Sequence, residues 1–426
     1  MSKPARELHI WAFLQGIGFY PGGWRHPLAQ PRSVFDRAYY EDVARLAERG
    51  RFDAIVFGDQ LQGRDAAGRT PERLAIPTLD PFTLLSAMGA VTERVGLVAT
   101  VSTTYNAPMG VAERFASLDL ASSGRAGWNI VTTAHPNAAP NFGERDLMEK
   151  GLRYRRAEEF VNVTTQLWDA VDDPARPIVR HKGEWFDVEG QLDTPYVPQG
   201  RPVLVQAGQS GDGRDFAART AEAIFCPAAT LEAGQAFRDD IRERVARAGR
   251  DPDGVKIMPG LAFVLADTEE AAQRKERELL EMADDGLCIE YLSESIGYDL
   301  TRHAASDLIP IDTIVAECEF PAEDIRRMLT PGVERGQTIA DYCRGYARQP
   351  RGHAIFVGTA EQLADRMGHW IDEGGCDGFT LQPGFMPEEL RLFVDHTVPL
   401  LQQRGLLRTD YEGTTLRNHL GLSTRR

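Results

Sequence analysis

The sequence has little with which to hold a polyanion. Its 48 lysines and arginines stand against 63 aspartates and glutamates, a formal net charge of −15. Nucleic acid and anionic membrane surfaces are therefore poor partners. Cysteine is also scarce. The five thiols, Cys226, Cys288, Cys318, Cys343 and Cys376, are scattered, odd in number and never arranged as CxxC. That argues against a disulfide framework or a thiolate zinc site and for reduced thiols in a cytoplasmic protein. The nine histidines show neither HExxH nor a paired i, i+4 spacing, so no metal site is expected. GxSxG is absent, and no cysteine sits in a context that marks a nucleophile. Neither the Walker phosphate loop nor GxGxxG is present. No run approaches the roughly 18 apolar residues that span a bilayer. The opening MSKPARELHIWAFL lacks the apolar core and cleavage site of a signal peptide. With hydrolytic machinery weakly supported, a bound cofactor that supplies the reactivity fits better.

What is present is a long alternation of strand and helix. The 426 residues are 42% hydrophobic and 26% charged, enough for one large domain or two medium ones. Strands are expected at Leu8–Leu14, Asp53–Phe57, Val95–Val101, Ala126–Thr132, Pro202–Gln206, Ala223–Cys226, Val255–Leu265 and Asp377–Gln382. Helical patterns follow them, among them Tyr39–Arg49, Met109–Ser122, Arg153–Val171, Arg214–Glu222 and Thr359–Glu373. The strand runs lack strict polar alternation, as parallel strands covered on the outside do. Eight such units predict an α/β fold, a (β/α)8 TIM barrel, rather than a doubly wound sheet. Insertions after strands four and seven enlarge it. The first includes a small hairpin near His181–Gly190; the second, about 267–349, is mostly helical within a single domain of residues 1–426. The polar tail beyond Leu406 is expected to fray or to wrap a neighbour.

In a barrel the C-terminal strand ends carry the chemistry. Asp59 follows strand two. Thr100, Ser102 and Thr104 alternate on strand three and share a face. Asn129 with Thr132, His135 and Asn137 offers a hydrogen-bonding rim for a planar heterocycle. The turn Gln206–Gly213 leads from strand five into a helix, leaving unpaired N–H groups at the positive end of the helix dipole. It reads either as a phosphate cradle using Gly208, Ser210 and Gly211, or as a tight turn capped by Ser210 or Asp212. Arg153-Tyr154-Arg155-Arg156 reads either as a phosphate clamp, with Lys150 one turn earlier, or as a solvated basic face paired with Glu158 and Glu159. Of the six tryptophans, Trp24 and Trp128 border active-face loops and are the two worth following as cofactor platforms.

Four segments carry a resemblance: GRAGWNIVTTAHPNAAPNFG (Gly124–Gly143), RYRRAEEFVNVTTQLWDA (Arg153–Ala170), QAGQSGDGRDFAARTAEAIF (Gln206–Phe225) and FVGTAEQLADRMGHWIDEGGCDGFTLQP (Phe356–Pro383). They look like the nitrilotriacetate/pristinamycin monooxygenase branch of the bacterial luciferase-like proteins, over nearly the whole chain. The resemblance implies a (β/α)8 barrel and a two-component monooxygenase. Reduced FMN would be its diffusible co-substrate, with O2 activated at flavin C4a as a peroxyflavin. A separate NAD(P)H:flavin reductase would be its partner, and a small organic substrate would undergo C–N or C–S cleavage or hydroxylation. It implies flavin contacts at Asp59 and at Thr100 or Thr104, and a phosphate end at Tyr154 and Ser210. The family's histidine four residues before that tyrosine is replaced here by Lys150, and the first loop has Phe19 and Tyr20 in place of histidines. His26 and His135 are candidate acid/base groups. A deazaflavin-dependent dehydrogenase and a catalytically silent flavin-binding protein are the alternatives. A homo-oligomer, dimer or tetramer, is expected.

Overall fold

Short apolar runs bounded by glycine and polar turns become strands buried on both faces. In the computed structural model, which describes residues 7–14, 18–29, 34–59, 61, 79–134, 136–318, 321–348 and 352–423, four of them open the chain. These are β1 (His9–Leu14), β2 (Ala54–Phe57), β3 (Gly96–Ser102) and β4 (Ala126–Val131). A hairpin of β5 (Val179–Lys182) and β6 (Asp187–Gly190) follows, then β7 (Val203–Gln206), β8 (Ala223–Cys226), β9 (Lys256–Leu265), β10 (Ala354–Gly358) and β11 (Gly378–Pro383). The ring β1-β2-β3-β4-β7-β8-β9-β11 is parallel throughout and returns to β1, where His9 faces Gly378 and Leu14 faces Phe57. The eight-stranded cylinder read from the sequence is thus closed.

One strand escaped the sequence reading. β9 is ten residues long and uses the two halves of one edge for different neighbours. Its first half, Lys256–Pro259, pairs with β8, and its second half, Leu261–Leu265, pairs with β10. β10 brings the chain back from the helical segment that follows β9. That segment includes helices Glu269–Glu281, Asp285–Ile296, Ala322–Glu334 and Ile339–Arg348. Leu292, Ile296, Leu329 and Cys343 give it an apolar centre of its own.

Local signals fix the elements around the barrel. Asp80 accepts the Thr83 N–H and Pro81 opens the helix Pro81–Gly89, the expected chemistry of a helix start. Thr359 and Gln362 form a reciprocal capping box at the head of Ala360–Asp372. The hairpin is held against the helix Lys150–Asp172 by one carboxylate: Glu159 accepts N–H groups of Glu184, Trp185 and Phe186 and bonds His181 Nε2 at 3.0 Å. Trp128 is fully buried on the outer side of β4, among Phe115, Phe160 and Trp168. It is core, and the idea that it serves as a cofactor platform is corrected. Trp24 packs at the edge of that core beneath the Arg25 guanidinium.

The tail is the larger correction. It neither frays nor reaches outward; it seals the N-terminal end of the cylinder. Leu416 and Leu420 are fully buried among Trp11, Val98, Val203 and Met258, all residues of the barrel interior. A Cβ on Gly96 would come within 2.6 Å of Leu416, so that strand stays bare to admit the tail. Arg417 donates to both oxygens of Glu222, at 2.9 and 2.8 Å. Arg408 donates to Asp53 Oδ1 at 2.8 Å, and the same carboxylate takes the Ile10 N–H and His9. The sequence reading misjudged the tail because its polar residues pair with carboxylates that lie more than a hundred residues away.

Candidate cofactor site

Alternation assigns the inner face of each strand. On β3 this is Val98, Thr100 and Ser102, and Val98 lies in the inner cluster with Trp11 and Met258. The last inward positions therefore make a layer at the C-terminal mouth. That layer has two characters. On the β3–β4 side it is polar: Thr100 Oγ1 donates to the Phe57 carbonyl at 2.5 Å, and Asn129 Nδ2 donates to Thr100 Oγ1 at 2.9 Å. On the β8–β1 side it is aromatic: Phe13 and Phe225 stack at 5.6 Å between centroids, and Phe225 stacks on His353 at 5.1 Å.

Above the polar half lies a cleft of about 280 Å³, lined by Asp59, Ser102, Thr133, Tyr154, Gln206 and Gly208 among others. The strand-five turn forms one wall. Gln206 Oε1 accepts the Gly208 N–H, folding the side chain under the turn. Ser210 caps the helix Gly211–Thr220 by accepting the Gly213 N–H at 3.2 Å. A Cβ at Gly213 would lie 2.7 Å from the Tyr154 hydroxyl, and one at Gly208 would lie 2.8 Å from the Gly213 Cα. Glycine at both positions lets the phenol reach the first turn of the helix. A Cβ on Gly211 would meet nothing within 4 Å, so space lies open beside the helix start. An open helix start, a phenol and a capping hydroxyl can receive an anion.

The expected residues divide accordingly. Asp59, Tyr154 and Gly208 line the cleft; Ser210 and Gly211 stand at its helix wall. Thr100 and Asn129 lie one layer beneath, and Asn129 Oδ1 is buried without a donor among the described residues. Thr104 sits at the rim, its hydroxyl donating to the Thr132 carbonyl at 2.7 Å. Lys150 is the first residue of its helix and is not among the cleft's lining residues. The arginine clamp breaks up. Arg155 pairs with Glu184 at 2.6 Å, and Arg156 lies over the Phe186 ring, so both belong to the hairpin. Glu158 pairs instead with Arg219, and Glu159 holds the hairpin while its charge favours the Arg156 guanidinium.

His26 stacks on Phe385, just past β11, at 4.0 Å between centroids. Burial and the nearby Lys275 ammonium lower its pKa, which keeps the ring neutral near pH 7. His135 lies outside the described residues. His353, passed over by the sequence reading, is buried at the mouth, where a Cβ on Gly260 would fall 2.4 Å from its Nδ1. It precedes β10, the strand that the sequence reading lacked. Thr133 was missed as well, and its signal is conformational: φ is +41° on a β-branched residue. Among the described residues no group of histidines, cysteines or carboxylates could hold a metal ion, and no helix is long and apolar enough to cross a membrane.

The mouth is covered by the loop after β1 and by the helices after β9, joined to each other. Tyr20 Oη donates to Glu276 Oε1 at 3.1 Å, and Arg348 approaches the other oxygen at 3.3 Å. Arg25 donates to the Met282 carbonyl at 2.6 Å and to Asp284 at 3.0 Å.

Comparison with known proteins agrees with this geometry. The family model described as luciferase-like monooxygenase matches residues 19–377. The chain is 40% identical over 438 residues to N-acetyl-S-(2-succino)cysteine monooxygenase of Bacillus subtilis (strain 168), covering 99% of this chain and 98% of that protein. It is 38% identical over 444 residues to nitrilotriacetate monooxygenase component A of Aminobacter aminovorans, covering 98% and 97%. Among solved structures, a riboflavin lyase bound to modified FMN and riboflavin superposes with a TM-score of 0.85 at 30% identity, covering 98% of this chain and 96% of that one.

Proposed function

The chain belongs to the luciferase-like monooxygenases, and from that premise we propose that it is the oxygenase component of a two-component system. It would take reduced FMN from a separate NAD(P)H:flavin reductase and oxidise a small organic substrate with O2. The observation that carries the reading is the cleft between Asp59, Tyr154 and the turn after β7. Its residues fit FMN in two respects. Gly208 and Gly213 let the Tyr154 phenol come up against the helix start, beside open space at Gly211, which suits a phosphate monoester. The buried Asn129 Oδ1 lacks a donor, and such an acceptor suits an N–H of a heterocycle.

FMN, when bound in reduced form, supplies the electrons that make O2 reactive. The protein's part is to bind, orient and keep dry. Tyr154 and Ser210 retain hydroxyl protons for the phosphate, since Ser210 uses only a lone pair in capping Gly213. Thr100 is oriented by the Phe57 carbonyl and in turn orients Asn129. The loop after β1 and the helices after β9, joined by Tyr20 and Arg25, would limit the access of water to the mouth, where activated oxygen would otherwise be lost. His26, held neutral, is able to accept a proton there. Cleavage at a C–N or C–S bond and hydroxylation are the outcomes to assay.

The test is oxygen consumption with NADH, FMN and a flavin reductase, with and without small N- and S-substituted carboxylates. Substrate-dependent product with consumption of O2 supports the proposal. Flavin binding with no oxygen-dependent product from any of them would favour the silent binding protein. Hydride transfer to a deazaflavin under nitrogen would favour the dehydrogenase.

A further inference from the structure

Three hydroxyls at the C-terminal end of β3 that sequence spacing treats alike differ in their hydrogen bonds. Thr100 gives its proton to the Phe57 carbonyl, and Thr104 gives its proton to the Thr132 carbonyl. Neither has a second proton to offer. Ser102 is different. Its Oγ accepts the Thr104 N–H at 3.1 Å and lies 2.6 Å from Thr133 Oγ1. Two hydroxyls facing each other share one proton and keep the other. If Thr133 donates, the Ser102 proton is spare; if Ser102 donates, the Thr133 proton is spare. Both side chains line the cleft. Whichever way the pair is polarised, it presents one O–H that no acceptor among the described residues takes.

The backbone is arranged to keep this pair in place. Thr133 has φ of +41°, a left-handed conformation that is strained for a β-branched residue and persists where surroundings impose it. On the other side, Asn106 Nδ2 holds the Ser102 carbonyl at 2.9 Å and is itself held by Arg114 Nη2 at 2.8 Å. Strain at one partner and a brace on the other are hard to explain as packing, because Ser102 is 1% exposed and a buried alanine there would need no partner.

We infer that the Ser102–Thr133 hydroxyl pair is the hydrogen-bond donor of the third strand to the flavin, acting on an acceptor of the ring or ribityl chain and not on the phosphate. The inference rests on the cleft being the flavin site. The hydroxyl that keeps its proton touches the cofactor, and its partner positions it.

The experiment is fluorescence titration of wild type, Ser102→Ala, Ser102→Thr and Thr133→Gly with FMN and with riboflavin, which lacks the phosphate, together with the visible spectrum of the bound flavin and thermal melting. Ser102→Ala is expected to weaken both flavins by a similar factor of about 5 or more and to shift the absorption band. Ser102→Thr, which keeps a hydroxyl, should restore both readouts. Thr133→Gly should raise the melting temperature by relieving the left-handed strain while weakening flavin binding. Equal affinity of wild type and Ser102→Ala for both flavins would overturn the inference, as would a loss confined to FMN. If wild type bound neither flavin, the reading of the cleft would fail instead.

Discussion

The capping role of Ser210 and its proposed phosphate role use one oxygen, and they can be separated. It caps a helix through a lone pair; in the proposed flavin site its proton is left for the phosphate. Ser210→Ala is expected to cost about 1 kcal/mol of stability through the lost cap. Ser210→Gly should cost only a few tenths, because glycine is tolerated at that position. Both should weaken FMN by about 5-fold, the worth of one hydrogen bond. A glycine variant that keeps wild-type FMN affinity in a fluorescence titration would confine the hydroxyl to capping. Residues of this kind were legible from sequence where a strand end or helix start determined them: Asp59, Tyr154, Gly208 and Ser210. They were illegible where a backbone angle or a distant partner decides. Thr133 gives no sign in sequence of its positive φ, and His353 precedes β10, a five-residue strand that was not expected. The arginine run misled because Arg155 and Arg156 are drawn to Glu184 and Phe186 of a hairpin whose placement was not readable.

At the scale of elements, the tail segment carries the sharpest predictions. Arg417 is 1% exposed and bonded to both oxygens of a buried glutamate. Removing one member of such a pair leaves a charge stranded, and Arg417→Met is expected to cost about 3–5 kcal/mol in a urea melt. Leu416→Ala should cost about 2–5 kcal/mol, because the rigid strands around it will not collapse onto the hole. A change under 1 kcal/mol in both would mean that the floor is dispensable. The segment is also acid-sensitive. Burial holds His419 down to about 4, despite the neighbouring Asp53. An unfolded histidine binds its proton near pH 6.5, so between those values the unfolded chain takes up more protons and stability falls as pH drops. Asp53 acts in the same sense at lower pH: burial alone would raise its pKa, but Arg408 and His9 hold it below the usual carboxylate value. Its contribution is present above the unfolded pKa and lost as pH falls through the folded one. Melting temperatures from pH 7 to 4 should decline, and His419→Asn should flatten the decline above pH 4. An unaltered slope would refute the assignment.

At the scale of the whole molecule, strand and helix alternation made the cylinder readable, because eight apolar runs separated by helical periods leave few other architectures. The contacts that join the first loop to helices some 250 residues later were not readable, because each depends on a distant partner. Those contacts join two covers into one. Tyr20→Phe removes a buried bond to Glu276 and should lower stability by about 1–3 kcal/mol. It should also raise the share of O2 released as hydrogen peroxide when reductase, NADH and substrate are supplied. An unchanged peroxide yield with normal flavin binding would show that the covers exclude water independently.

The barrel floor has a bearing on biogenesis. Leu416, Leu420 and Arg417 lie at the underside of the cylinder and follow all eight staves in sequence, so they are synthesised after them. A chain that closes the ring before they emerge holds a bottomless cylinder whose apolar lining faces water. A protease nick between β11 and Leu416 would recreate that state in the finished enzyme. Chaperone dependence during synthesis, and sudden insolubility after such a cut, follow from the order in which the pieces meet.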